Sequence, residues 1–337
     1  MSVSNRQLDR AGDALKTEDT SSEEYRDALN LVNEWRSLHK RPLDTFQKGL
    51  KSKAFDIDIG YIFAQRLKKM KSIKEKLARE KNMKLSQMQD IGGCRVIVST
   101  VDQVYALRDS YCGSRIKHRR IENLERDYIE NPRSSGYRSL HLVFRYVSKN
   151  PAVNGLRVEV QIRTRLQHIW ATAVETASLL SETPLKASVG EKDWLRFFAL
   201  ASSCFALQEK CALVPDTPNS MDEIRRELKL LDERNDFVTK FEVLNSFVKH
   251  ADSKDAFNKD YYLLYINKQN RTFRAFGYSK AQYKKAYSEY VSWEKTENSV
   301  DNVVLVATNS FDSLKSAYPN YFADMREFVA AIKNILS

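Results

Sequence analysis

Residues 134–147 read SSGYRSLHLVFRYV, and residues 155–175 read GLRVEVQIRTRLQHIWATAVE. Tyr137 to Val147 and Leu156 to Thr164 are β-branched and aromatic runs, parted by a connector holding Pro151, Asn154 and Gly155. That pattern predicts a strand, a turn and a returning strand. In the second strand Arg157, Glu159, Gln161 and Arg163 alternate with Val158, Val160 and Ile162. One sheet face is therefore apolar, and the other carries a carboxylate, an amide and guanidinium groups in a row. A helix follows at once, with His168 and Glu175 two turns apart on one side of it. So many polar groups on one sheet face beside a helix carboxylate point to a site rather than a purely structural element.

Working outward, 337 residues at 42% hydrophobic can bury a substantial core and suggest more than one domain. The formal net charge of +11 favours an anionic partner such as a nucleotide, a nucleic acid or an acidic protein. Cys94, Cys112, Cys204 and Cys211 form no CxxC pair and have no histidine at metal spacing, so reduced thiols in a cytoplasmic protein are expected. No apolar run reaches membrane-spanning length, and no membrane partner is expected.

The first twenty or so residues are polar and read as a loose lead-in. A helix capped by Ser21 or Ser22 buries Tyr25, Leu29, Leu31, Val32 and Trp35, and Pro42 is expected to end it before a second helix after Asp44. Residues 60–80 are rich in Lys and Arg; such a run is ordinarily a solvated helix face. Here Arg66, Lys68, Ser72 and Lys76 together offer cations and a hydroxyl able to hold a polyphosphate. Asp90 precedes Gly92-Gly93 and a buried strand. It reads either as the capping residue of a tight turn or as a hard oxygen ligand for Mg²⁺ beside a glycine-lined approach.

Four ordered motifs now stand on a strand–loop–strand–helix frame: DIGGCR (90–95), DYIENPR (127–133), GYRSLH (136–141) and VEVQIRT (158–164). Together they resemble the RelA/SpoT alarmone-synthetase domain over roughly residues 55–185. The resemblance implies an α+β fold, a nucleotidyltransferase-like mixed β-sheet flanked by helices. It also implies transfer of the β,γ-pyrophosphate of ATP to a ribose 3′-hydroxyl. By motif, Arg66 and Arg95 would sandwich the adenine, and Lys68, Ser72 and Lys76 would hold the ATP phosphates. Asp90 and Glu175 would bind Mg²⁺, Glu159 would take the proton from the attacking hydroxyl, and Tyr137 would stack on the acceptor base. His141, Gln161 and Arg163 would line the cleft. Taken singly, Tyr137 reads equally as a core aromatic, His141 as a satisfied strand histidine, and Glu159 as a cross-sheet partner of Arg157 or Arg163.

The sequence departs from that family's pattern in two places. Its five histidines include no adjacent His-Asp pair of the kind that removes the pyrophosphate in bifunctional members, so no hydrolase activity is expected. The acceptor loop reads Pro-Arg-Ser-Ser-Gly-Tyr, where guanosine-using members commonly have Pro-Lys-Pro-Asn-Gly-Tyr. Ser134 and Ser135 thus replace a rigid proline and an amide able to read a base edge.

Beyond residue 182 a helix over 193–213, a linker at 214–220 and a long helix from Met221 to about His250 are expected. A hairpin (261–267 and 272–278), a helix over 280–295, a strand over 303–308 and a last helix over 325–336 follow. The expected division is 1–54 as a helical lead-in, 55–213 as the synthetase domain and 214–337 as a small regulatory α+β module. The layout resembles the CapRel-type fused toxin–antitoxins, in which a Tyr-x-x-Tyr element blocks the ATP site until a phage capsid protein is sensed. Such toxins modify the 3′-terminal adenosine of tRNA. Of three Tyr-x-x-Tyr spacings, Tyr318 and Tyr321 stand at a loop-to-helix junction and are the expected plug. The expected acceptor is tRNA; the alternatives are GDP or GTP as acceptor, and an inactive synthetase fold that binds a partner protein.

Overall fold

A computed structural model describes residues 3–16, 19–180, 192–247, 249–250, 259–267, 272–296, 301–308, 314, 316–317 and 325–337. Three helices lead: α1 (Asn5–Ala14), α2 (Glu23–Leu38) and α3 (Lys40–Ile57). The expected loose lead-in is instead helical. Leu8, Ala11 and Leu15 recur at helical spacing and are buried, and Ser4 and Gln7 form a capping box at the start of α1. Pro42 does not separate two helices; it sits in the first turn of α3, where a missing N–H costs nothing.

The chain continues through β1 (Ile62–Leu67), α4 (Met70–Arg79), β2 (Gly92–Val98), α5 (Val101–Cys112), β3 (Arg119–Arg120), β4 (Arg126–Asp127), β5 (Leu140–Arg145) and β6 (Arg157–Thr164). Then come α6 (Arg165–Leu180), α7 (Lys192–Glu209), α8 (Met221–Asn235), α9 (Phe237–Phe247), β7 (Lys249–His250), β8 (Tyr261–Asn267) and β9 (Thr272–Tyr278). The last elements are α10 (Tyr283–Thr296), β10 (Asp301–Ala307) and a terminal helix, α11 (Arg326–Leu336). The long helix expected from Met221 is broken at Asp236, which adopts a left-handed conformation at φ 53°. Gly92 and Gly93 make no turn; both lie within β2. None of the described helices is long and apolar enough to cross a membrane.

The strands form one mixed ten-stranded sheet in the order β3-β5-β6-β2-β1-β10-β8-β9-β7, with β4 also paired to β5. β6 runs parallel to β2, and β1 pairs antiparallel with both β2 and β10. Strands from the two ends of the chain are thus joined at Gln65↔Ala307 and Arg66↔Val306. The apolar faces of β2, β5 and β6 (Cys94, Val96, Leu142, Phe144, Val158, Val160) share one core with Leu8, Val32, Phe46 and Leu50 of the N-terminal helices. A second core joins α6 and α7 to α8, α9 and α11 through Trp170, Phe198, Phe241 and Phe328. The expected boundaries at 54 and 213 therefore cross continuous cores rather than gaps in packing.

The C-terminal hairpin and β10 are covered on both faces. On one, α10 packs Ala286 and Tyr290 over Leu263, Val303 and Leu305. On the other, Leu314 and Ala317 pack against Tyr262, Val304, Val306 and Ala64 of β1.

Candidate active site

Sheet register brings the polar side chains together. Arg66, Gly93 and Glu159 are paired across β1, β2 and β6, and Arg95, Gln161 and His141 are paired across β2, β6 and β5. Residues level across a sheet project to the same side, so the alternation in β6 becomes a polar row over neighbouring strands.

That row is hydrogen-bonded end to end. The His141 Nε2 lies 2.8 Å from the Tyr137 hydroxyl, and its Nδ1 lies 3.2 Å from one oxygen of Glu159. Gln161 donates to the other Glu159 oxygen at 2.8 Å, and Arg163 donates to the Gln161 carbonyl at 3.1 Å. Burial works against a charge on His141, but the Tyr137 oxygen and the Glu159 carboxylate prevail and raise it to about 9. The imidazolium therefore donates from both nitrogens at neutral pH. Burial also opposes ionisation of Glu159, yet the His141 charge and hydrogen bond hold its carboxyl below the usual range. Glu159 is an ionised acceptor at neutral pH.

Asp90 lies just before β2. Its carboxylate takes the Lys68 ammonium at 2.5 Å on one oxygen and the Lys76 ammonium at 3.4 Å on the other. Burial pushes this acid up, but the two ammonium charges outweigh it and bring it to about 2. Lys68 follows β1 and Lys76 lies on α4, so one carboxylate gathers the cations that the sequence had placed on separate elements.

Arg66, Asp90, Gly93, Arg95, Glu159 and Gln161 line one small cavity of about 30 Å³. A Cβ built on Gly93 would meet only the Glu159 carbonyl oxygen, at 4.0 Å, so this glycine leaves the cavity floor open. A space of this size holds a water or two and no triphosphate. The chain that precedes Tyr318 closes in here. Arg95 donates to the Ala317 carbonyl at 3.4 Å, and His168 on α6 donates from Nε2 to the Ser316 carbonyl at 2.9 Å. Burial holds His168 well below the usual histidine range, so it is neutral. Tyr318 and Tyr321 themselves lie outside the described residues.

Not every expected residue joins the cavity. Glu175 stays on α6, close enough to influence His168 electrostatically, and is not part of the lining around Asp90 and Glu159. Among the described residues no group of three or more His, Cys, Asp or Glu side chains is arranged for a metal. The oxygen donors present, Asp90 with Glu159 nearby, still suit Mg²⁺, which prefers one or two carboxylates plus phosphate oxygens. Tyr137 is mostly buried, with its ring against Tyr128, His141 and Trp170. The more open ring is Tyr128, with the Arg133 guanidinium 4.6 Å above it. Sequence reading passed over Tyr128, although DYIENPR contains it. Nothing local marked Ser316 and Ala317.

Residues 65–180 match the family model described as the region found in RelA / SpoT proteins. The GTP pyrophosphokinase YjbM of Bacillus subtilis is 32% identical over 170 residues, which span 49% of this chain and 71% of that protein. The GTP pyrophosphokinase YwaC of the same organism is 34% identical over 114 residues, 32% of this chain and 52% of that one. A probable chloroplastic GTP diphosphokinase of rice, RSH2, is 33% identical over 132 residues, 38% of this chain and only 16% of that protein. Among solved structures, the small alarmone synthetase 1 of Bacillus subtilis bound to its product pppGpp is 30% identical over 44% of this chain and 73% of that one, with a TM-score of 0.37.

Proposed function

This chain belongs to the RelA/SpoT family of pyrophosphokinases, and from that premise we propose that it transfers the β,γ-pyrophosphate of ATP to the 3′-terminal adenosine of tRNA. The observation that carries the choice of acceptor is a basic sheet edge. Arg115, Lys117, Arg119 and Arg145 are all exposed along β3 and the end of β5, on the strand that carries His141. Such a row suits a polyanion far larger than a nucleotide, because Lys and Arg contacts to phosphates supply most non-specific nucleic-acid affinity.

The chemistry follows from the cavity. Arg66 and Arg95 flank the adenine, and Lys68, Ser72 and Lys76 hold the phosphates. Asp90 would hold Mg²⁺, which supplies charge neutralisation at the phosphates when bound. The 3′-hydroxyl oxygen attacks the β-phosphorus, the bond from that phosphorus to the α–β bridging oxygen breaks, and AMP leaves. Glu159 accepts the hydroxyl proton, oriented by His141 and Gln161.

In the resting state the chain at Ser316 and Ala317 covers the cavity; Tyr318 and Tyr321 are the proposed plug and the C-terminal unit its carrier. A phage capsid protein that engages this unit would release it, as in a fused toxin–antitoxin. A second reading, with GDP or GTP as acceptor, is favoured by the activity named for the relatives. Incubation with ATP labelled in the γ-phosphate, plus either deacylated tRNA or GDP, separates the two. Label on tRNA is the expected result, and label on GDP alone overturns the tRNA assignment.

A further inference from the structure

Helix α4, which carries Ser72 and Lys76, is completed at its start by a carboxylate from the far end of the chain. Its N-cap is Lys69, whose side chain makes no cap bond, and its first turn holds no acidic residue. The backbone N–H of Met70 instead donates to Glu294 of α10 at 2.6 Å. An anion at this end also meets the positive end of the helix dipole.

Glu294 is held there firmly. Its carboxylate accepts from Arg36 at 2.8 and 3.3 Å and from the Tyr290 hydroxyl at 2.8 Å. The Arg36 and Glu294 side chains are 0% and 4% exposed. Arg36 further donates to Tyr290 at 2.7 Å and to Asn33 at 2.6 Å, and Tyr287 donates to the Asn33 carbonyl at 2.6 Å. A buried ion pair survives only when its remaining donors and acceptors are met, and here they largely are. By contrast, the covering chain is held through its backbone carbonyls, at Ala317 by Arg95 and at Ser316 by His168.

We propose that Glu294 is a positioning residue for ATP: it fixes the first turn of α4, and with it the placement of Ser72 and of Lys76, whose ammonium meets Asp90. The C-terminal unit then acts on the site with opposite signs. α10 builds the phosphate-binding edge, and the chain at Ser316 and Ala317 covers the cavity beside it. Activation therefore releases the covering chain while α10 stays docked; departure of the whole unit would unmake the edge it exposes. This rests on the reading of Ser72 and Lys76 as phosphate ligands.

The test uses the full chain with Tyr318→Ala and Tyr321→Ala, so that the cavity is open. Affinity for a non-hydrolysable ATP analogue and the KM values for ATP and acceptor are measured for Glu294→Gln in that parent. Loss of the charge at the helix end should weaken ATP about three- to tenfold, leave the acceptor KM unchanged, and speed amide exchange over residues 70–74. Tyr287→Phe removes one bond of the same interface without touching α4; it should lower Tm and leave ATP affinity alone. Equal ATP affinity and equal exchange in Glu294→Gln overturn the proposal alone. So does an equal loss of ATP affinity in Tyr287→Phe, which would mean that docking in general, not the cap, sets the site. A parent that binds no ATP at all overturns the reading of the site and this inference with it.

Discussion

The Nε2–H of His168 donates to the carbonyl oxygen of Ser316 at 2.9 Å, which ties the helix after β6 to the chain just before Tyr318. One neutral buried hydrogen bond contributes about 1 kcal/mol, or roughly fivefold in an equilibrium. His168→Phe keeps the ring volume and removes the donor. Basal pyrophosphate transfer by the resting protein should rise about fivefold, and a rate equal to that of the unaltered chain would count against the closure. Tyr318→Ala should act in the same direction and more strongly, read as growth arrest on induced expression.

Glu159→Gln should cut transfer by at least about 10²-fold, the usual lower bound for a general base, while circular dichroism and Tm stay near those of the parent. The same change removes the charge that sustains the His141 imidazolium. The His141 ring should then titrate well below about 9 by NMR. A fully active Glu159→Gln variant removes Glu159 from the reaction.

The His141–Glu159 pair also sets a pH dependence. His141 is raised to about 9 in the folded chain, against roughly 6.5 unfolded. Above the unfolded value the folded state binds the extra proton, so the stabilisation is complete below about 6.5 and is lost as pH climbs towards 9. Glu159 is shifted down, so its share is present above roughly 4.3, the unfolded value, and is lost on acidification. Denaturant midpoints should fall between pH 6.5 and 9, and His141→Phe should flatten that limb. A limb unchanged in that variant assigns the slope to other groups.

Gly136, in the acceptor loop, has φ +92°, and a Cβ there would lie 2.8 Å from Trp170 and 2.9 Å from Ser202. Its carbonyl also accepts from the Ser202 hydroxyl at 2.6 Å. Gly136→Ala should cost about 2 kcal/mol or more, from the left-handed backbone and the clash together. Calorimetry should show a Tm several degrees lower. An unshifted Tm would mean that the loop rearranges freely around Trp170.

Local pattern carried the polar face of β6 well, because a half-buried strand must alternate and Arg157 to Ile162 does so, before Arg163 and Thr164 are both buried. It also located the C-terminal hairpin. It missed α1, where Leu8, Ala11 and Leu15 are diluted by charge, and the break at Asp236, a backbone conformation that the helical spacing of Ile224, Leu228 and Leu231 does not record. Asp90 and Glu159 were found together because each sits in a compact motif. Glu175 was grouped with them by resemblance; on α6 it lies outside the lining around Asp90 and Glu159. The pairing of Arg36 with Glu294 spans 258 positions. Each is an ordinary charged residue in its own neighbourhood, and only tertiary packing turns them into a pair. The same holds for β1 and β10, since an exposed strand edge accepts many partners.

That last pairing has a consequence for how the protein is made. β1 ends at Leu67 and its neighbour β10 begins only at Asp301, so on the ribosome the catalytic strands wait with a bare margin until β10 has been translated, long after β6. The residues that close the cavity come later still. A nascent chain thus makes β6 and α7 before either the α10 carboxylate that completes α4 or the covering chain, so premature termination after α7 would leave a sticky strand margin and an unfinished phosphate edge rather than an unrestrained enzyme.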